Sequence, residues 1–128
     1  MAEPIKLIID TDPGVDDAVA ILMALAAPEI QILGLTTVGG NVPLARTTRN
    51  ALALLQAAGR SDIPVAKGAS RPLCGRFKYA PQFHGPGGLS HRLPDPSVGP
   101  VTKGAVEFLY DQVTADEPGE VTVVALGP

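Results

Sequence analysis

The sequence predicts an α/β fold: an open, mostly parallel sheet with flanking helices, Rossmann-like in its winding. Three observations carry this. Short apolar runs rich in β-branched residues, at Ile5 to Ile9, Ile30 to Val38, Ile63 to Ala66 and Val121 to Leu126, alternate with segments of helical period. The first run is nearly continuous rather than alternating, as expected for a strand covered on both faces. The turns that leave the first two runs carry Pro-Gly and Gly-Gly-Asn, the chemistry of strand-to-helix junctions.

Taken in order, Ile5 to Ile9 reads as a buried central strand. Asp16 to Ala27 is dominated by Ala, Leu and Met and reads as a helix whose apolar stripe is Val15, Val19, Leu22 and Ala26, stopped by Pro28. Ile30 to Val38 is the second strand. Gly39, Gly40 and Asn41 then turn into a helix that has Pro43 in its first turn and Leu44, Thr48, Ala51, Leu52 and Leu55 on one face, with Gly59 ending it. Ile63 to Ala66 is a short third strand. Gly68 to Pro100 is rich in proline and glycine, has no sustained period, and is expected to be a long functional or mobile loop. Thr102 to Thr114 returns to helix, with Val106, Leu109, Tyr110 and Val113 on one side, and Val121 to Leu126 is the fourth strand. With the first strand central and the second and fourth beside it, the segment after the first strand, Asn41 and the backbone of Leu126 face one crevice beyond the carboxyl ends of the strands.

At 128 residues the chain is the size of one domain and can bury a core. Its net charge is -3 and its ten Lys and Arg are scattered, which argues against a nucleic-acid partner. The longest apolar run, Ala18 to Ala27, is too short to span a bilayer, so no membrane is implied. A lone cysteine, Cys74, rules out an internal disulfide framework and fits a reducing compartment, and the opening Met-Ala-Glu-Pro lacks a basic leader. The expectation is a soluble cytoplasmic protein.

The chemistry concentrates in Asp10 to Asp17, DTDPGVDD, where Asp10, Asp12, Asp16 and Asp17 crowd one strand-to-helix junction. Carboxylates this close repel one another, and the following helix N-terminus relieves only part of that. No Lys or Arg lies between Lys6 and Arg46 to relieve the rest. A bound hard cation, Ca²⁺ or Mg²⁺, is the simplest remedy. The Pro13-Gly14 bend would fold Asp12 back toward Asp16 and Asp17. An ordinary acidic first turn of a helix accounts for Asp16 and Asp17 but not for Asp10 and Asp12 at the end of an apolar strand.

DTDPGVDDAVA after the first strand, TTVGGN after the second, FHG inside the long loop and VALGP after the last resemble the inosine-uridine-preferring nucleoside hydrolase family. The likeness runs the length of the chain in the right order. It implies an open α/β fold, hydrolysis of the N-glycosidic bond of a ribonucleoside to ribose and free base, one tightly held Ca²⁺, and a homo-oligomer. It further implies Asp12, Asp17 and the main-chain carbonyl of Leu126 as Ca²⁺ ligands, Asp16 as general base, Asp10 as a supporting residue and Asn41 as a ribose-hydroxyl contact. His84 resembles a loop histidine that lies near the base pocket in some members. Phe77, Tyr79 and Phe83 are candidate stacking residues for the base.

Family chains are longer, and their second half supplies a further Asp ligand, ribose contacts and commonly a histidine that assists the leaving base. Residues 1–128 are therefore expected to be the N-terminal part of one hydrolase domain, truncated and inactive alone. Two rivals stand beside this reading. One is a non-catalytic Ca²⁺-binding or subunit-association module. The other is a haloacid-dehalogenase-like phosphatase, whose signature expects Thr or Val where this chain has Gly14 and leaves Asp16 and Asp17 without a task.

Overall fold

The structure is a computed structural model that describes residues 2–128. Its elements in chain order are β1 (Ile5–Thr11), α1 (Val15–Ala26), β2 (Ile30–Thr37), α2 (Leu44–Ala57), β3 (Val65–Lys67), α3 (Pro81–His84), α4 (Ala105–Thr114) and β4 (Val121–Ala125). The four strands form one parallel sheet in the order β3-β2-β1-β4. The chain winds from β1 to β3 in one direction, then returns through α4 to the other side of β1. Parallel neighbours need such crossovers, and the reversal at β1 opens a crevice at the carboxyl ends of β1 and β4.

Alternation along β1 divides the core. Ile9 joins Ile21 of α1, Leu35 of β2 and Leu52 and Leu55 of α2 on one face, while Ile8 joins Ala66 and Phe108 of α4 on the other. Both faces of the central strand are thus covered, which is why its sequence from Ile5 to Ile9 is apolar apart from Lys6.

β1 runs two residues further than its apolar stretch. Asp10 and Thr11 remain in register with Thr36 and Thr37 of β2, and Asp10 also pairs with Ala125 of β4. Ladder bonds from two neighbours hold these polar residues in strand geometry, and so the acidic segment begins inside the sheet. The β1–β2 register shifts between Leu7 and Ile8, where Gly34 faces Ile8. A Cβ at Gly34 would come within 2.8 Å of Phe108 Cε1, so the missing side chain makes the seat for that ring. Phe108→Ala is expected to cost about 3 to 5 kcal/mol in chemical denaturation. A loss under about 1 kcal/mol would mean the ring does not anchor α4.

Two helix faces differ from the sequence expectation. In α4 the buried residues are Ala105 and Phe108, whereas Val106 (84% exposed), Tyr110 and Val113 face outward. In α1 the buried residues are Asp17 and Ile21, with Ala18, Ala24 and Leu25 packed on the core, and the stripe of Val15, Val19, Leu22 and Ala26 is exposed. Both helices are apolar on more than one side, and periodicity cannot choose between such faces. The seat at Gly34 chooses for α4. The face of α2 agrees with expectation: Thr48, Ala51, Leu52 and Leu55 are buried.

The stretch from Gly68 to Pro100 is less free than its composition suggests. It contains the short α3, and Leu89 and Leu93 pack against the core. Arg49 of α2 donates to the Leu93 carbonyl at 2.6 Å and to Asp95 at 2.7 Å, and Gln56 Oε1 accepts from the Ser97 N–H at 2.7 Å. Tethers to one helix replace the local periodicity that the segment lacks. Among the described residues no helix is long and apolar enough to cross a membrane.

Candidate active site

A cleft of about 870 Å³ opens where the carboxyl ends of β1, β2 and β4 meet, and Asp12, Asp16, Asp17, Asn41 and Leu126 line it. Its other wall comes from residues 69–78, including Arg71, Arg76, Phe77 and Lys78. The sheet explains the convergence: parallel strands deliver all their following loops to one edge.

The acidic segment splits into two kinds of carboxylate. Asp12 (6% exposed) and Asp17 (7% exposed) are buried, while the Asp16 side chain is 78% exposed. Asp16 and Asp17 are adjacent on a helix, so their side chains leave in directions about 100° apart. The full convergence expected from the Pro13-Gly14 bend therefore does not occur. Asp12 and Asp17 meet, Asp16 turns to the cleft, and among the described residues no third acid, histidine or cysteine completes a cluster.

Each buried carboxylate is held by neutral donors. Asp12 Oδ2 accepts the Asn41 N–H at 2.8 Å, and Asn41 Nδ2 donates to the Asp12 carbonyl at 3.0 Å. Asp17 Oδ2 accepts the Thr11 hydroxyl at 2.7 Å. Asp10 accepts the Thr36 hydroxyl, and its carbonyl receives the N–H groups of Leu126 at 2.8 Å and Gly127 at 3.2 Å. Asp10 thereby sets the position of the Leu126 carbonyl beside the cleft. Gly40 has no room for a side chain, since a Cβ there would overlap Asp12 Oδ2 and lie 3.0 Å from Pro128 Cγ.

Among the described residues neither Asp12 nor Asp17 forms an ion pair with a basic side chain. Burial pushes the Asp12 carboxyl above its ordinary value of 3.8; the Asn41 N–H offsets part of this and the charge of Asp17 adds to it. Burial likewise raises Asp17, against the Thr11 hydroxyl and with the added repulsion of Asp16. The chain keeps two carboxylates side by side in a place that disfavours their charge.

His84 does not line the cleft. It stands behind the bend with 16% of its side chain exposed, its Nδ1 accepting the Val15 N–H at 3.0 Å and lying 3.9 Å from Asp16 Oδ1. A Cβ on Gly14 would come within 2.6 Å of that Nδ1 and 2.8 Å of Asn41 Nδ2, so the glycine admits both side chains to the bend. Phe77 lines the cleft near Gly39, whereas Tyr79 and Phe83 are exposed outside it.

Sequence reasoning missed Thr11 and Thr36, the hydroxyl donors to Asp17 and Asp10, and the basic wall of Arg71, Arg76 and Lys78. Threonines flanking acids at strand ends were the available signal for the first pair. Nothing local marked the second set, because its position depends on how the long segment folds back over the sheet.

Residues 7–128 match the family model described as inosine-uridine preferring nucleoside hydrolase. The chain is 55% identical over 125 residues to "Uridine nucleosidase 1" of Arabidopsis thaliana, covering 96% of this chain and 37% of that protein. It is 45% identical over 129 residues to "Pyrimidine-specific ribonucleoside hydrolase RihA" of Citrobacter koseri, covering all of this chain and 40% of that one. Among solved structures, a plant nucleoside hydrolase, the PpNRh1 enzyme, superposes with a TM-score of 0.90 at 46% identity, over 98% of this chain and 40% of that one. A purine-preferring ribonucleoside hydrolase from Gardnerella vaginalis superposes with a TM-score of 0.89 at 34% identity, over 96% of this chain and 40% of that one. The chain thus spans about two fifths of the length of these relatives. With a family match from the first strand to the last residue, and solved relatives that superpose on nearly the whole of it, the chain belongs to the inosine-uridine preferring nucleoside hydrolase family.

Proposed function

We propose that the protein carrying this chain hydrolyses the N-glycosidic bond of ribonucleosides, giving ribose and a free base, with Ca²⁺ held by Asp12, Asp17 and the Leu126 carbonyl. The observation that supports this most is the buried Asp12 and Asp17 pair, which the fold brings together beside a cleft without a basic partner. Two carboxylates and a carbonyl are hard oxygen donors, the chemistry of calcium rather than zinc. When bound, the ion would supply a template for a water and the ribose hydroxyls.

The chain's own residues then divide the work. Asp16, exposed on the cleft wall, takes the proton as a water oxygen bonds to C1′ of the ribose. The C1′–N bond breaks with its electron pair leaving on the base, and the negative wall of aspartates stabilises the oxocarbenium-like sugar between these events. Asn41 holds the Asp12 backbone and reaches the ribose from the same side, which favours ribose over deoxyribose. Because His84 Nδ1 is committed to Val15, any contact it makes with substrate falls to Nε2. The departing base needs a proton that no residue named here supplies. Three oxygens are also few against the 6 to 8 that calcium takes, so the 128-residue chain alone is proposed to turn over little substrate. The family likeness supports a homo-oligomer, and the lone Cys74 supports a cytoplasmic setting.

Removing the metal provides the test. Treatment with a chelator is expected to stop release of reducing sugar from uridine or inosine by the native gene product, and calcium to restore it. The fold carries a linked signature. Asp12 and Asp17 bind protons more tightly folded than unfolded, so the stability they lend the metal-free chain is complete below pH 3.8 and is lost as pH rises through their raised folded values. Calcium should reverse that loss and raise the melting temperature most at neutral pH. Cleavage and melting that ignore both chelator and calcium would remove the metal from the proposal.

A further inference from the structure

The bend between Asp12 and Val15 is held mainly from outside itself. Three side chains from distant parts of the chain bond its backbone: Asn41 Nδ2 to the Asp12 carbonyl, Asn50 Nδ2 to the Pro13 carbonyl at 3.3 Å, and His84 Nδ1 to the Val15 N–H. Asn50 differs from the other two. It sits in the middle of α2, is 3% exposed, and lies behind the bend rather than in the cleft. Its amide donates a second bond to the Gly87 carbonyl at 2.8 Å. Asparagine is a poor helix-interior residue, and a buried amide costs stability unless its donors are used. Here both donors go to carbonyls of other segments.

We propose that Asn50 is a positioning residue for the aspartate bend. Gly14, with φ -101 and ψ -166, follows Pro13 and leaves the connecting peptide free to rotate. The orientation of that peptide decides whether the strand end bearing Asp12 and the helix start bearing Asp17 face each other. No backbone bond within the bend fixes the Pro13 carbonyl, and Asn50 does so from the rigid interior of α2. The bond to Gly87 ties the segment after α3 to the same amide. Gly88 (φ +89) leaves room for this, since a Cβ there would lie 2.9 Å from Asn50 Nδ2. One buried side chain thus locks the bend and the segment behind it together. The geometry stands without any metal; its consequence for affinity rests on the proposed calcium site.

Asn50→Leu keeps the branched shape of the side chain and removes both donors. Amide hydrogen exchange followed by NMR on this chain is expected to accelerate by about tenfold at Val15, Ala18 and Gly88, the scale of one or two lost hydrogen bonds, with Ile9 and Leu35 of the sheet little changed. Uniform acceleration would show a purely global stabilising role, and no acceleration would show that the bonds are idle; either overturns the proposal. Should the variant not fold, the wild-type chain decides. Slowly exchanging Asn50 side-chain protons with cross-peaks to Gly14 and Gly87 support it, and averaged, rapidly exchanging protons end it. Calcium titration of the native gene product, with and without Asn50→Leu, separates the two readings. Weaker binding by Asn50→Leu than by wild type is expected, whereas a wild type that binds no calcium sinks the metal site and leaves the exchange result to judge Asn50.

Discussion

Replacing Asp16 by alanine is expected to lower nucleoside turnover by the native gene product roughly 10²- to 10⁴-fold, the range contributed by a positioned general base, while leaving calcium affinity largely intact. The structure separates the two effects. Asp16 is adjacent to Asp17 in sequence, yet its side chain is exposed on the cleft wall while Asp17 is buried against the Thr11 hydroxyl. Removing it takes away a proton acceptor and leaves the Asp12 and Asp17 pair in place. It also lessens the repulsion on Asp17, so metal binding has no reason to weaken. Steady-state kinetics beside calorimetric calcium titration would check this. A variant that keeps its turnover would move the base elsewhere, and one that loses calcium and activity in parallel would place Asp16 among the ligands. The same variant bears on the non-catalytic alternative, since a simple binding module has no turnover for the substitution to remove.

Asp12→Asn should produce the opposite pattern. Its oxygen can still accept the Asn41 N–H, so the shape of the site is preserved. One of two buried like charges disappears, and the metal-free chain should become more stable at neutral pH, because the charge it loses was disfavoured by burial and by Asp17. Calcium affinity should collapse. A unit charge pair about 4 Å apart at an effective dielectric of ~20 is worth about 4 kcal/mol, and ~1.4 kcal/mol is tenfold in affinity, so a loss of at least about a hundredfold is expected. Melting curves with chelator and with calcium would show the two signs together. A variant less stable without metal, or equal to wild type in calcium affinity, would show that Asp12 is structural only.

These outcomes turn on features unequally visible in the chain. The strands were legible because each is a short apolar run bounded by turn residues, and the central position of β1 followed from its nearly continuous apolarity. The cleft at the carboxyl ends of β1, β2 and β4 followed from the parallel winding, and with it the approach of Asp12, Asp17, Asn41 and Leu126. The outward turn of Asp16 was legible in principle, since neighbours on a helix diverge, but the crowding of four acids obscured it. Which side of α1 and α4 faces the core was not legible. Val106 and Tyr110 compete with Ala105 and Phe108 on equal local terms, and only the empty space at Gly34, far away in the chain, breaks the tie.

By itself, then, the sequence determined the alternation of strands and helices, the parallel sheet they must build, and the acidic bend at its edge, because each depends on residues close together in the chain. The tertiary structure decided which carboxylates are buried, that Thr11 and Thr36 serve them, and that Asn50 and His84 grip the bend from behind. Those pairings depend on which distant groups the packed core carries within bonding distance, and local propensity holds no record of that.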